Sequence, residues 1–298
     1  MTTTTPHPTD HHPIATKPTR SALSASRIAL RALMLRDLVV LRKNFAEFAI
    51  RTLVQPFLLC FVFLFVFPKI GQAVGGGGGS GGGTVDESAF ATVLVAGVVG
   101  ISIMFQGVQS VALQMAQEFG FTREIEDRVQ APCPIWLVAI AKVLSGSVQG
   151  VISAIIVLPI ASVVHAAGVE AQINLHWPII LTVVPISCIA MTSLGLVLGT
   201  SFEPRNIGLM FGFVVLPITF LGGTYYQWTR LAPVKIGGWH WLQMVVLVNP
   251  LIYVNEGMRA AFTNAPHMHL YVIYPVLAGF CTLFLWIGLR NFRGRVLA

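Results

Sequence analysis

The sequence predicts an all-α integral membrane protein: six transmembrane helices, an N-terminal amphipathic interfacial helix and short external re-entrant helices. Three observations carry that prediction. Of 298 residues, 55% are hydrophobic and 10% charged, where a soluble domain carries roughly 25% charge. Several apolar runs reach the ~18–20 residues that cross a ~30 Å hydrocarbon core, and the mean hydropathy is +0.75. Runs such as 89–108 and 272–289 are continuously apolar, whereas a transmembrane β-barrel shows alternating segments of roughly 10 residues. Helices are the remaining way to satisfy the backbone in lipid.

Residues 1–22 open with Thr, Pro and His and lack apolar periodicity, which predicts a disordered cytoplasmic tail. His11 and His12 are read there as solvated side chains, with no metal site. Over 23–46, Leu30, Met34, Leu38, Leu41 and Phe45 recur at helical spacing while Arg36 and Lys43 fall on the other side. That pattern suits a helix lying in the headgroup layer against membrane lipids. Arg27 and Arg31 stand close to the apolar stripe and must snorkel. No signal peptide is recognised, so the first span is expected to be retained.

Spans are predicted at about 48–68, 89–114, 135–164, 176–200, 206–226 and 269–290 within a transmembrane domain covering 47–290, followed by a cytoplasmic tail at 291–298. An even number of spans puts both ends on one side. Fifteen of the 19 Lys and Arg residues then fall on the terminal side, leaving Lys69, Arg230, Lys235 and Arg259 opposite. The positive-inside rule makes both termini cytoplasmic in a multi-pass inner or plasma membrane protein. The formal charge of +7 is explained by topology and does not call for nucleic acid.

The Gly-rich stretch 75–83 lacks the Lys-Ser/Thr pair of a phosphate loop and reads as an external linker. The long external segment 222–269 concentrates Tyr225, Tyr226, Trp228, Trp239, Trp241 and Tyr253. Amphipathic rings belong at a membrane interface, so short helices packed on the outer mouth are expected. Cys60, Cys133, Cys188 and Cys281 have no metal-ligand spacing and read as small apolar residues.

Three patterns bear on function. Ser102, Gln106, Gln109 and Ser110 share one side of span two, and Lys142, Ser145, Gln149 and Ser153 one side of span three. Such stripes must face protein or a wet path. The plainer reading is interhelical hydrogen bonding; the functional one is a substrate path over Gln55, Ser102, Gln106, Gln109 and Gln149. Secondly, Gly146/Gly150, Gly195/Gly199 and Gly208/Gly212 form small-xxx-small pairs that allow close helix approach, within the subunit or against a partner. Thirdly, Glu118, Arg123, Glu124, Glu126, Asp127 and Arg128 cluster within eleven residues before Pro132 and Pro134. They read as a docking knob for a cytosolic partner or as a solvated helix with a Glu124–Arg128 pair. No nucleophile, base and orienter set is present in the sequence, which argues against an enzyme. Asp37, Glu47, Glu118, Glu203 and Glu256 map to loops or span ends, which argues against an ion-coupled carrier.

The run Arg123-Glu124-Ile125-Glu126-Asp127-Arg128, then Ala131-Pro132-Cys133-Pro134 and a span holding Lys142, resembles the first cytoplasmic loop of ABC-2-type transporter permeases. Pro217 to Gly223, Tyr225-Tyr226, and Asn249-Pro250-Leu251-Ile252-Tyr253 with Glu256-Gly257-Met258-Arg259 resemble the outer segment of the daunorubicin-resistance and nodulation-factor exporter branch. The sequence departs from that branch at Gly222-Gly223 and Gln227. The resemblance implies a permease subunit that exports a drug, lipid or glycolipid. It pairs with a second permease, the same or different, and with ATP-binding subunits that hold the ATP and Mg, leaving no cofactor on this chain. It makes 118–128 the ATPase-coupling segment and Tyr225, Tyr226, Trp228, Asn249, Pro250 and Tyr253 an external cap. The rival readings are an ion-coupled secondary transporter and a non-transporting scaffold subunit.

Overall fold

The computed structural model describes residues 22–69, 87–120, 134–163, 173–233 and 240–297. The N-terminal tail, the Gly-rich stretch, the charged run 123–128, Cys133, Lys235 and Trp239 lie outside the described residues. Helix α1 (Ala22–Lys43) precedes five helices that are long and apolar enough to cross a membrane: α2 (Phe45–Val66), α3 (Ala89–Gly120), α4 (Ile135–Val163), α5 (Trp177–Ser201) and α9 (Leu270–Leu297). Between α5 and α9 come α6 (Pro204–Phe220), α7 (Trp241–Leu247) and α8 (Pro250–Phe262). Among the described residues there are no strands, only a bridge between Ile173 and Thr263.

The predicted spans match the long helices, except that the second and sixth run on six and seven residues past their predicted ends and that the fifth differs. The run predicted at 206–226 ends as helix at Phe220 and turns over Leu221–Gly223. At 1.5 Å per residue, the 17 residues of α6 rise about 26 Å, short of a ~30 Å core. The turn is set by Gly223, whose φ of +68° suits a residue without Cβ.

Helix α3 is the centre of the bundle. Of its most apolar window 83% is buried, against 22% for α2 and 17% for α9, whose outward faces carry apolar side chains such as Ile50, Leu58 and Trp286. Glycine makes the central packing possible. Gly195 of α5 sits where an added Cβ would lie 2.8 Å from the Gly107 carbonyl, and Gly199 meets the Ala112 backbone at 2.9 Å. Gly146 is seated against Ser110 and Thr192, and Gly150 against Cys188. Two of the three small-residue pairs are thus intrasubunit contacts. On α6, a Cβ added at Gly208 or Gly212 would meet nothing within 4 Å among the described residues.

Contacts sort the helix termini into two ends of the bundle. At the terminal end, Arg295 in the last turn of α9 donates to the carbonyls of Gly199, Thr200 and Phe202 at 3.3, 3.2 and 2.8 Å. It thereby caps α5, as a cation at a helix C-terminus does, and its guanidinium lies over Phe119. At the opposite end, Tyr225 packs on Phe63 of α2 and Thr224 on Gly97 of α3. The predicted stripe of α1 is visible: Leu30, Met34, Leu38 and Leu41 are half-buried, with Arg36 and Lys43 exposed. Leu35 and Val39 are exposed as well, so the second side is less polar than the spacing implies.

Candidate functional site

At the terminal end, α3 closes at Gly120 and α4 opens after Pro134. The charged segment springs from between them. Lys142, two turns into α4, is 3% exposed, and an ammonium there needs an anion. Glu118 supplies it: Lys142 Nζ donates to Glu118 Oε1 at 2.6 Å. Glu118 is only 7% exposed, so the carboxylate grouped with the surface charges faces inward. The pair clamps the two helix ends that flank the segment. Removing one partner of a buried pair strands the other charge, at a cost of about 3–5 kcal/mol.

Between the ends, the polar stripes meet. Thr52 Oγ1 of α2 donates to Gln106 Oε1 of α3 at 3.2 Å, and Gln106 Nε2 donates to Gln149 Oε1 of α4 at 3.2 Å. This three-helix ladder gives Gln106 and Gln149 protein partners, while the buried Ser153 Oγ has none among the described residues. Ser102 and Ser110 donate to carbonyls of their own helix, Val98 at 2.6 Å and Gly107 at 3.1 Å. Ser145 and Ser153 are buried in α4. Gln55 and Gln109 are half-buried and stand outside the ladder.

The opposite end is knitted by α8, every residue of which is buried. Asn249 caps it, accepting from Leu251 N at 2.9 Å and donating to Ile218 O at 2.7 Å, with Pro250 at the position where a missing N–H costs nothing. Asn255 Nδ2 reaches Gly222 O at 2.7 Å and Thr224 Oγ1 at 3.1 Å. Glu256, 1% exposed, accepts from Trp228 N at 3.0 Å, Arg259 Nη1 at 2.8 Å and Met268 N at 2.8 Å. Arg259, fully buried, also donates to Tyr226 O at 3.0 Å and to Gly223 O.

Tyr226 Oη donates to Phe220 O at 3.3 Å and Tyr253 Oη to Leu247 O at 3.0 Å. Burial raises the Tyr225 and Tyr226 phenols above their ordinary range; at Tyr226 the Gly223 backbone and Arg259 oppose it. The six cap residues read from sequence are therefore brought together, on a scaffold that the sequence reading missed. Glu256 was assigned to a loop or span end and Arg259 to the external charges. Both are core residues, because α8 inserts between α3, α5 and α9. The available signal was an E-x-x-R pair, one turn apart, as the only charges in a 13-residue apolar helix.

Residues 28–263 match the ABC-2 type transporter family. The inner membrane transport permease YadH of Escherichia coli K12 is 26% identical over 273 residues, covering 90% of this chain and 96% of the relative. The Shigella flexneri protein of the same name matches to the same extent. With apolar helices that cross a membrane several times and a family match across most of its length, the chain belongs to the ABC-2 type transporters and is a multi-pass membrane transport permease.

Proposed function

We propose that the chain is the membrane-spanning half of an ATP-driven exporter that moves a hydrophobic or amphipathic cargo outward, a drug, lipid or glycolipid, across the cytoplasmic membrane. ABC-2 permeases work with an ATP-binding subunit, and in this reading ATP and Mg stay on that partner. Both termini and the charged segment face the cytoplasm. The observation that carries the proposal is the buried Glu118–Lys142 pair at the root of that segment. A push by the ATPase on Glu124, Glu126, Asp127 and their arginines is passed to α3 and α4 together, because the clamp prevents the two helix ends from moving apart. Helix α3 touches α2, α4, α5 and α8, so its displacement reaches the cap, where α7 and α8 act as interfacial and re-entrant helices.

A second permease subunit is supported by α6. A Cβ added at its Gly208 or Gly212 would meet nothing within 4 Å among the described residues, while Leu209 and Phe213 beside them are 57% and 79% exposed. Small residues flanked by large apolar ones suit close helix association in lipid.

The ion-coupled alternative gains two buried carboxylates from the structure, Glu118 and Glu256. Each is bound to a cation, and Glu256 also accepts two backbone N–H bonds. Carboxylates already occupied by a cation are poor sites for taking up and releasing a coupling ion. The test is copurification: Glu124→Lys with Asp127→Lys weakens ATPase binding while membrane insertion is unchanged. Undiminished copurification refutes docking through this segment.

A further inference from the structure

Between α1 and the terminal halves of α2, α3 and α4 lies a cleft of about 310 Å³ that neither the clamp nor the ladder explains. Its volume is at the lower limit of the ~300–1,000 Å³ of small-molecule sites. That is enough for a lipid headgroup.

Its depth follows from register. Arg51 is the last charged side chain of α2 before the apolar run to Val66, so the mouth lies where hydrocarbon gives way to headgroups. The lining then fixes the chemistry. Two guanidinium groups, Arg36 and Arg51, and two carboxylates, Asp37 and Glu47, share the walls. A third carboxylate, Glu118, is neutralised by Lys142. The signs balance, so the cleft offers no net attraction to an anion, yet it can bind both halves of a group that carries a phosphate and an ammonium. Phe48, 5% exposed, and the exposed Val40 give it an apolar side, where a glycerol backbone and the start of its chains can lie.

We infer that this cleft binds the zwitterionic headgroup of a phospholipid of the ethanolamine class, drawn from the leaflet at the terminal end. The carboxylates hold its ammonium and the arginines its phosphate. The inference does not rest on ATP-driven export, and its test needs no ATPase.

The full chain is equilibrated in nanodiscs holding equal phosphatidylethanolamine and phosphatidylglycerol and moved to mild detergent, and retained lipid is counted by native mass spectrometry. The wild type keeps the ethanolamine lipid about fivefold over the glycerol lipid, the discrimination that one or two interfacial charges provide. Asp37→Asn with Glu47→Gln brings the ratio to parity or below, since the arginines are then unopposed, whereas Arg293→Gln, exposed on α9 away from the cleft, leaves it unchanged. Arg36→Gln with Arg51→Gln lowers retention of both lipids. Equal retention by the wild type, a ratio unmoved by the carboxylate variants, or full retention by the arginine variants overturns the assignment. Soluble phosphoethanolamine at the same concentration leaves the lipid in place; displacement by it overturns the membrane source of the ligand.

Discussion

The two ends of the bundle each bury one carboxylate against one cation, and the surroundings of the two pairs differ. At the cap, Glu256 is saturated by Trp228 N, Met268 N and Arg259, and Arg259 holds the 223–226 turn. At the terminal end, Glu118 meets Lys142 beside an open cleft and at the base of a charged segment. A pair bonded to backbone on several sides fixes a shape, whereas a pair at an open edge joins two elements that can move as one. The cap end is accordingly the more rigid part of the permease, and in the proposed function the terminal end is the part that takes up force.

That comparison breaks first at the cap. Arg259→Met leaves Glu256 buried without its cation and removes the tether of the 223–226 turn, costing about 3–5 kcal/mol. The expected outcome is a large loss of folded yield and a lower unfolding temperature in detergent; a wild-type melting profile would show that the pair does not hold the cap. Gly97→Ala drives a Cβ into the Thr224 backbone carbonyl, an overpacking worth roughly 1–3 kcal/mol. A smaller fall in the same melting temperature checks it.

The terminal pair is predicted to separate stability from coupling. Lys142→Gln costs roughly 1–3 kcal/mol, since the amide can still donate to Glu118, but it uncouples ATP hydrolysis by the partner from transport. Exchanging the two charges, Glu118→Lys with Lys142→Glu, restores part of the coupling. Hydrolysis that stays coupled in the single variant reduces the clamp to packing. The smallest effect is expected in the ladder, where Gln106→Leu loses two interhelical bonds of the sort worth about 0.6 kcal/mol in a membrane. A melting shift at the limit of detection, with transport retained, marks these polar groups as structural.

Most of the fold was legible because a membrane leaves the sequence little freedom. Continuous apolar runs had to become spans, and five did so, two of them running on past their predicted ends. The shortness of α6 was not legible, since the apolar run continues past Phe220 and only the turn at Gly223 ends the helix. The cap residues were recognisable as a group from their rings and from Asn249-Pro250. Their geometry was hidden because it depends on a 13-residue helix buried on every side, whose charges look external when counted along the chain. The inward turn of Glu118 is hidden for a related reason: proximity in sequence to 123–128 says nothing about which way a side chain turns. Its partner, Lys142, was noticed as a polar residue within a span, and a search for the anion it requires leads directly to the end of α3.

In the proposed function the bundle is moved from its terminal end by a partner that binds ATP. Spin labels at Asn44→Cys and Gln117→Cys, on the α1–α2 junction and near the end of α3, report movement across that end without requiring the cargo to be known. In proteoliposomes with the ATPase, the account predicts that the label separation changes when ATP is added and stays fixed when a proton or sodium gradient is imposed without ATP. A separation that follows the ion gradient and ignores ATP would contradict it.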